Sequence, residues 1–189
     1  MVAQFNVDST ALPESALAQS PCRTFTAYNK LVSLRARIDV SDSSGAQIAS
    51  AQRRLLSWRT TWDIEVGERR IRLRRKLLTL LPQWLVDGDL GEFSIHRRWA
   101  LFRRRYRISG GPFHGVALVG NFTDLRLEAT LAGRLLLKTR GFILTLRDRH
   151  EVEVYETSQA GTLFGITTLV ALLADRRDDR ERERLRDET

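Results

Sequence analysis

The chain has one cysteine, Cys22, so no intrachain disulfide can form and a reducing compartment is expected. No second thiol and no metal-ligand spacing surrounds Cys22, which is therefore read as inert. Histidine is scarce too, with three residues. His96, His114 and His150 lie too far apart for an H-x-x-x-H or Cys/His cluster, so no metal site is expected. Nucleophile-elbow, Walker and dinucleotide fingerprints are all missing. The glycine-rich stretch 109–114 (SGGPFH) lies between strand-like segments and opens no helix, which makes it a turn rather than a phosphate loop. Asp63, Asp148 and Glu151 could supply carboxylates, but they occupy repeat positions that are not acidic in every unit. No catalytic residue and no cofactor is assigned, and a non-enzymatic protein is expected. The first ten residues (MVAQFNVDST) lack the basic and apolar regions of a secretory signal, which points to a cytoplasmic protein.

What the chain does have is positive charge and repetition. Its 189 residues are 42% apolar, enough for one domain with a sizeable core, and carry a net charge of +8. Residues 1–24 and 175–189 each sum to −1, so the middle carries +10. A domain that basic adsorbs to polyanions, whether a membrane face or nucleic acid. Residues 1–23, with Pro13 and Pro21 among small polar residues, read as a weakly ordered lead-in to a domain over 24–175.

Segment 30–40 (KLVSLRARIDV) matches segment 54–64 (RLLSWRTTWDI) at Leu31/Leu55, Ser33/Ser57, Arg35/Arg59 and Asp39/Asp63. The frame returns at 76–86 (KLLTLLPQWLV), 98–108 (RWALFRRRYRI) and, more loosely, 142–152 (FILTLRDRHEV). With Leu34, Trp58, Leu80, Phe102 and Leu146 as equivalents, the steps are 24, 22, 22 and 44 residues, and 119–127 (VGNFTDLRL) fills the double step. A period near 22 without helical spacing suits one β-hairpin per unit, hence six hairpins and twelve strands. Turn chemistry at 41–45 (SDSSG), 65–68 (EVGE), 87–89 (DGD), 109–112 (SGGP) and 132–133 (AG) separates runs of period-two alternation such as IRLR at 71–74. One greasy and one charged face per strand predicts an antiparallel sheet closed into a barrel.

Segment 160–174 (AGTLFGITTLVALLA) is apolar around its whole circumference. Thr157 or Ser158 can cap its start, and Arg176 and Arg177 complement the dipole at its end. Fifteen residues span about 22 Å, short of a hydrocarbon core of roughly 30 Å. A twelve-stranded barrel is too wide to fill with its own side chains, so the helix is expected to plug it. The tail 176–189 alternates Arg with Asp and Glu; its i,i+3 pairs could prolong the helix, but fraying is expected.

The doublets Arg53-Arg54, Arg75-Lys76 and Arg97-Arg98 recur in phase, so around a regular barrel they would form one basic belt. Arg103, Arg104 and Arg105, with Lys138 and Arg140, would extend it. Anionic lipid or an acidic protein partner is the expected ligand of this belt on a monomer, the alternatives being a nucleic-acid binder or a structural module without a small ligand. Trp58, Trp62, Trp84, Trp99, Phe102 and Tyr106 occupy positions mostly aliphatic in other units and are expected in the core. That placement argues against the stacking platforms of a nucleic-acid binder.

Taken in order, 74–80 (RRKLLTL), 120–124 (GNFTD), 147–154 (RDRHEVEV) and the helix 160–174 resemble the LURP-one-related proteins. These belong to the tubby C-terminal-like superfamily, with the phospholipid scramblases. The resemblance runs from about Thr24 to Asp175. It implies a closed twelve-stranded antiparallel barrel around a central hydrophobic C-terminal helix, and phosphoinositide-like or other phospholipid binding at a membrane periphery. A scramblase-type cysteine-rich palmitoylation stretch or calcium segment is missing.

Overall fold

The computed structural model describes residues 20–30, 36–99, 104–121, 126–142 and 149–187. Twelve strands follow one another: β1 (Arg23–Lys30), β2 (Arg37–Asp42), β3 (Gln47–Arg53), β4 (Thr61–Val66), β5 (Arg69–Arg75) and β6 (Gln83–Gly88). Then come β7 (Phe93–Arg98), β8 (Arg104–Ser109), β9 (Ala117–Asn121), β10 (Arg126–Leu131), β11 (Arg134–Phe142) and β12 (Arg149–Val154). Each pairs antiparallel with its neighbours in sequence, and β1 pairs with β12 to close the barrel. Closure leaves no sheet edge. The expected barrel is therefore the observed one, and the repeat marks every second strand: even-numbered strands begin at Arg37, Thr61, Gln83, Arg104, Arg126 and Arg149.

Period-two alternation sends alternate side chains inward. Ile38 and Val40, Ala49 and Ala51, Trp62 and Ile64, Ile71 and Leu73, Trp84 and Val86 are all buried, and so are their counterparts on the later strands. The helix α1 (Gln159–Asp187) fills the space between them, with the whole run Gly161–Asp175 buried. Ser158 caps it, its Oγ accepting from the Gly161 amide at 3.0 Å. Gly165 lets the helix lie close to β12, because a Cβ there would stand 2.8 Å from a Val154 methyl. No helix among the described residues is long and apolar enough to cross a membrane.

The barrel's two ends differ. At the turn rim the links join even to odd strands, and the shortest include β10–β11, which is Ala132-Gly133 with φ of 49° and 82°. Two positive φ values make a type I′ hairpin, whose twist matches the flanking strands. At the opposite, loop rim lie the links that join odd to even strands, including 54–60 and 76–82. Because α1 starts at the turn rim after β12, it leaves the barrel through the loop rim. There it does not fray as expected but stays helical to Asp187.

Candidate functional site

Parity along the strand decides what each basic doublet does. Arg53 follows Ala49 and Ala51 on the inward face of β3; Arg75 follows Ile71 and Leu73; Arg97 follows Phe93 and Ile95. All three therefore meet the helix as it exits. Arg97 Nη1 lies 3.2 Å from Asp179 and 3.6 Å from Asp175, and Arg53 Nη1 lies 3.4 Å from Glu181. Arg75 forms a close ion pair with Asp178. The Tyr106 hydroxyl donates to Asp175 at 2.7 Å, adding to the polar contacts that the β3–β8 side of the wall makes with the helix. Burial pushes the Asp178 carboxyl above its ordinary range, although Arg75 and Arg53 pull it down.

The outward members divide again. Arg54 pairs with Asp63, which also accepts from Arg72 at 3.2 Å. Burial raises the Asp63 carboxyl, but these arginines overcome it and hold the group below the ordinary carboxylate range. Lys138 is 3.2 Å from Glu128, and Arg140 stands opposite Glu151 in the β11–β12 register. Arg103, and the side chain of Arg104, lie outside the described residues. Among the described residues the doublets do not join into one continuous belt: Arg53, Arg75 and Arg97 face the helix, and Arg54 and Lys138 are matched by wall acids.

One sector stays uncompensated. Strands β7 (FSIHRR), β8 (RRYRIS) and β9 (ALVGN) contain no acidic residue. On their outer face Arg98 stands opposite Arg105 and His96 opposite Arg107, with Lys76 on the adjoining loop. Lys76, Arg98, Arg105 and Arg107 have no acidic partner among the described residues. Partial burial and the charges of Arg98 and Lys76 push His96 below its ordinary value, which places all three in one field. The His96 Nε2 is 2.7 Å from Ser94 Oγ. His96 and Arg107 were not selected from the sequence; the missing acids over 93–121 were the available signal.

The aromatics also divide. Trp62, Trp84 and Tyr106 are in the core as expected. Trp58 and Trp99 are not: Trp58 is wholly exposed and Trp99 is 81% exposed, both on the loop rim. Phe102 lies outside the described residues. Leu56, Leu78 and Leu80 share the same loops and are fully exposed, with Leu55 and Leu77 about half exposed. The repeat frame at 54–58 and 76–80, with Trp99 after β7, therefore supplies greasy loop tips on the rim, not inward strand positions.

A shallow groove on the β9–β11 wall also holds charge, with Arg126, Glu128, Lys138 and Arg140 among its lining residues. Both signs are present there, so it lacks the bias of the β7–β9 sector. Among the described residues no three His, Cys, Asp or Glu side chains converge on a possible metal position. Comparison with protein-family models, curated proteins and solved structures found no match to this chain.

Proposed function

We propose that this barrel is a non-enzymatic, peripheral membrane-binding domain of the cytoplasmic side, holding anionic phospholipid head groups on its β7–β9 wall. The observation that carries this reading is the acid-free cluster of Lys76, His96, Arg98, Arg105 and Arg107. A phosphate or carboxylate arriving there meets several donors that no acid among the described residues engages. Each basic residue near an anionic surface contributes about 1 kcal/mol, so four permanent cations give useful, salt-sensitive affinity. The hairpin order and the threaded helix support kinship with the LURP-one-related and tubby-type barrels, which is part of the same proposal.

The test is co-sedimentation of the full chain with phosphatidylglycerol-containing vesicles against pure phosphatidylcholine, over a salt series. Binding only to the anionic vesicles, weakening as salt rises, is expected. Equal binding to both, or none, would reject the reading. A second reading, single-stranded nucleic acid, gains from the exposure of Trp58 beside Arg59 and Trp99 beside Arg98, since bases stack on such aromatics. An oligonucleotide competitor that displaces the protein at low salt and quenches its fluorescence would favour that alternative.

A further inference from the structure

The greasy loop tips lie on three successive links, β3–β4, β5–β6 and β7–β8, and so occupy one side of the loop rim. Resting on the head-group reading, we infer that Leu56, Trp58, Leu78, Leu80 and Trp99 penetrate the anionic bilayer that the β7–β9 cluster recognises. Four observations point to lipid as the occupant.

First, the tips are single side chains with almost their whole surface free, rather than a contiguous packed face. Such projections suit a fluid that closes around each one, whereas a protein interface presents side chains packed at near-interior density. Second, each tip is bracketed by cations: Arg54 and Arg59 around Leu55–Trp58, Lys76 before Leu77–Leu80, and Arg98 before Trp99. Apolar residues flanked by bases are the composition of membrane-interface segments, and tryptophan favours the head-group boundary. Third, the uncompensated cluster stands on the wall under two of these loops, so charge and grease face the same partner. Fourth, Leu78 has φ of 58°, a left-handed conformation that costs a bulky side chain energy. A strained leucine in water is twice disfavoured unless its side chain is used elsewhere.

The same geometry sets the orientation. Beyond Glu181 the helix exposes Arg182–Asp187, about 9 Å in which every residue but Leu185 is charged, leaving through the loop rim. Docking along the barrel axis would drive that tip into hydrocarbon. The barrel must therefore lean, with the β3–β8 side down and the arginines of the helix end against the head groups.

Four tryptophans, two on the tips and two in the core, make the test direct. The full chain is titrated with phosphatidylglycerol/phosphatidylcholine vesicles whose acyl chains are either brominated or unmodified. Brominated chains should quench the emission, and Trp58→Phe with Trp99→Phe should abolish that difference without changing the melting temperature. Leu56→Ser with Leu78→Ser and Leu80→Ser should weaken vesicle affinity at least about tenfold, since each leucine leaves water on insertion. Binding with identical emission on both vesicle types would overturn penetration while leaving the head-group reading standing. No vesicle binding at all would overturn both. A lipid-free dimer that Leu78→Ser dissociates would assign the tips to a second copy and also overturn the inference.

Discussion

Arg75 and Lys76 are adjacent in the chain, yet the Arg75 side chain is 16% exposed against a carboxylate that is 8% exposed, while Lys76 is open to solvent. Arg97 and Arg98 repeat the contrast. One register of bases is turned inward to fasten the helix, and the next is turned outward at the mouth of the acid-free sector. A strand offers two faces and nothing between, so a doublet at its end distributes one charge to each. The comparison teaches that basic clusters in a barrel sequence have to be halved before they are counted as a surface. It also explains why a chain of net charge +8 tolerates so many arginines: part of that charge is matched by the helix end.

The largest effect should come from separating those two registers. Arg75→Met leaves Asp178 buried without its partner, and breaking such a pair costs about 3–5 kcal/mol. Equilibrium urea unfolding should show that loss, whereas Lys76→Met should be silent. Adding Asp178→Leu to Arg75→Met should recover most of it, because a well-packed apolar pair replaces an ion pair at little cost. The penalty of Arg75→Met should also shrink as pH falls. The Asp178 carboxyl already lies above its ordinary range, and without Arg75 it rises further, so acid neutralises the orphaned charge in the folded state. If Lys76→Met proved as destabilising as Arg75→Met, the inward–outward distinction would be lost.

The converse experiment works on the outer register. Lys76→Ala, Arg98→Ala and Arg105→Ala together remove three exposed charges, so affinity for phosphatidylglycerol vesicles should fall on the order of a hundredfold. Stability should change little, since exposed bases without partners contribute almost nothing to folding. A comparable triple change at Arg54, Lys138 and Arg140, each facing an acid, should move vesicle affinity far less. Equal losses from the two sets would show that net charge alone governs binding.

How much of this was legible in the residues follows the same division. Strand count, closure and the plug were readable because period-two alternation and a fully apolar helical segment each admit few solutions. The turns SDSSG, EVGE and SGGP were readable because their chemistry is local. The loop rim was not. Trp58 and Trp99 read as core because their repeat positions are mostly aliphatic in the other units, yet they follow the strand ends Arg53 and Arg98, where alternation has stopped. The ion pairs with the helix exit were hidden for a different reason. Arg53 and Glu181 are 128 residues apart, and only barrel closure brings them together. Even so, the parity of Arg97 with Phe93 and Ile95 could have been counted from the sequence.

Histidine 96 offers a finer probe of the outer register. Its imidazole is held below its ordinary value by partial burial and by Arg98 and Lys76, which favours the neutral form. Around it stand Lys76, Arg98 and, in register, Arg107 and Gln83, with Ser94 bonded to the ring. Acidification therefore adds a positive charge at the centre of the cluster, and a bound anion makes that protonation easier. Vesicle affinity should rise by about fivefold between neutral and mildly acidic pH, the worth of one further charge. Phosphatidylglycerol is the lipid of choice, since its head group does not titrate in that range. His96→Gln should flatten the profile; an unchanged profile would place the sensitivity elsewhere.

The smallest effect compares the two rims directly. Ala132 and Leu78 both occupy left-handed backbone, at φ of 49° and 58°. At the turn rim the conformation belongs to a type I′ hairpin, where asparagine is favoured, so Ala132→Asn should stabilise the fold by somewhat under 1 kcal/mol and leave vesicle binding untouched. At the loop rim Leu78→Gly relieves a similar strain, offset by the greater freedom that glycine gives the unfolded chain, so stability should stay level or rise slightly. Here, however, a fully exposed side chain is deleted. If Leu78 is retained for the bilayer, its replacement should lower vesicle affinity several-fold while the melting temperature holds. A Leu78→Gly protein that bound vesicles as well as the parent would make the strain at Leu78 an accident of the loop, equivalent to that at Ala132, and the two rims would no longer differ in kind.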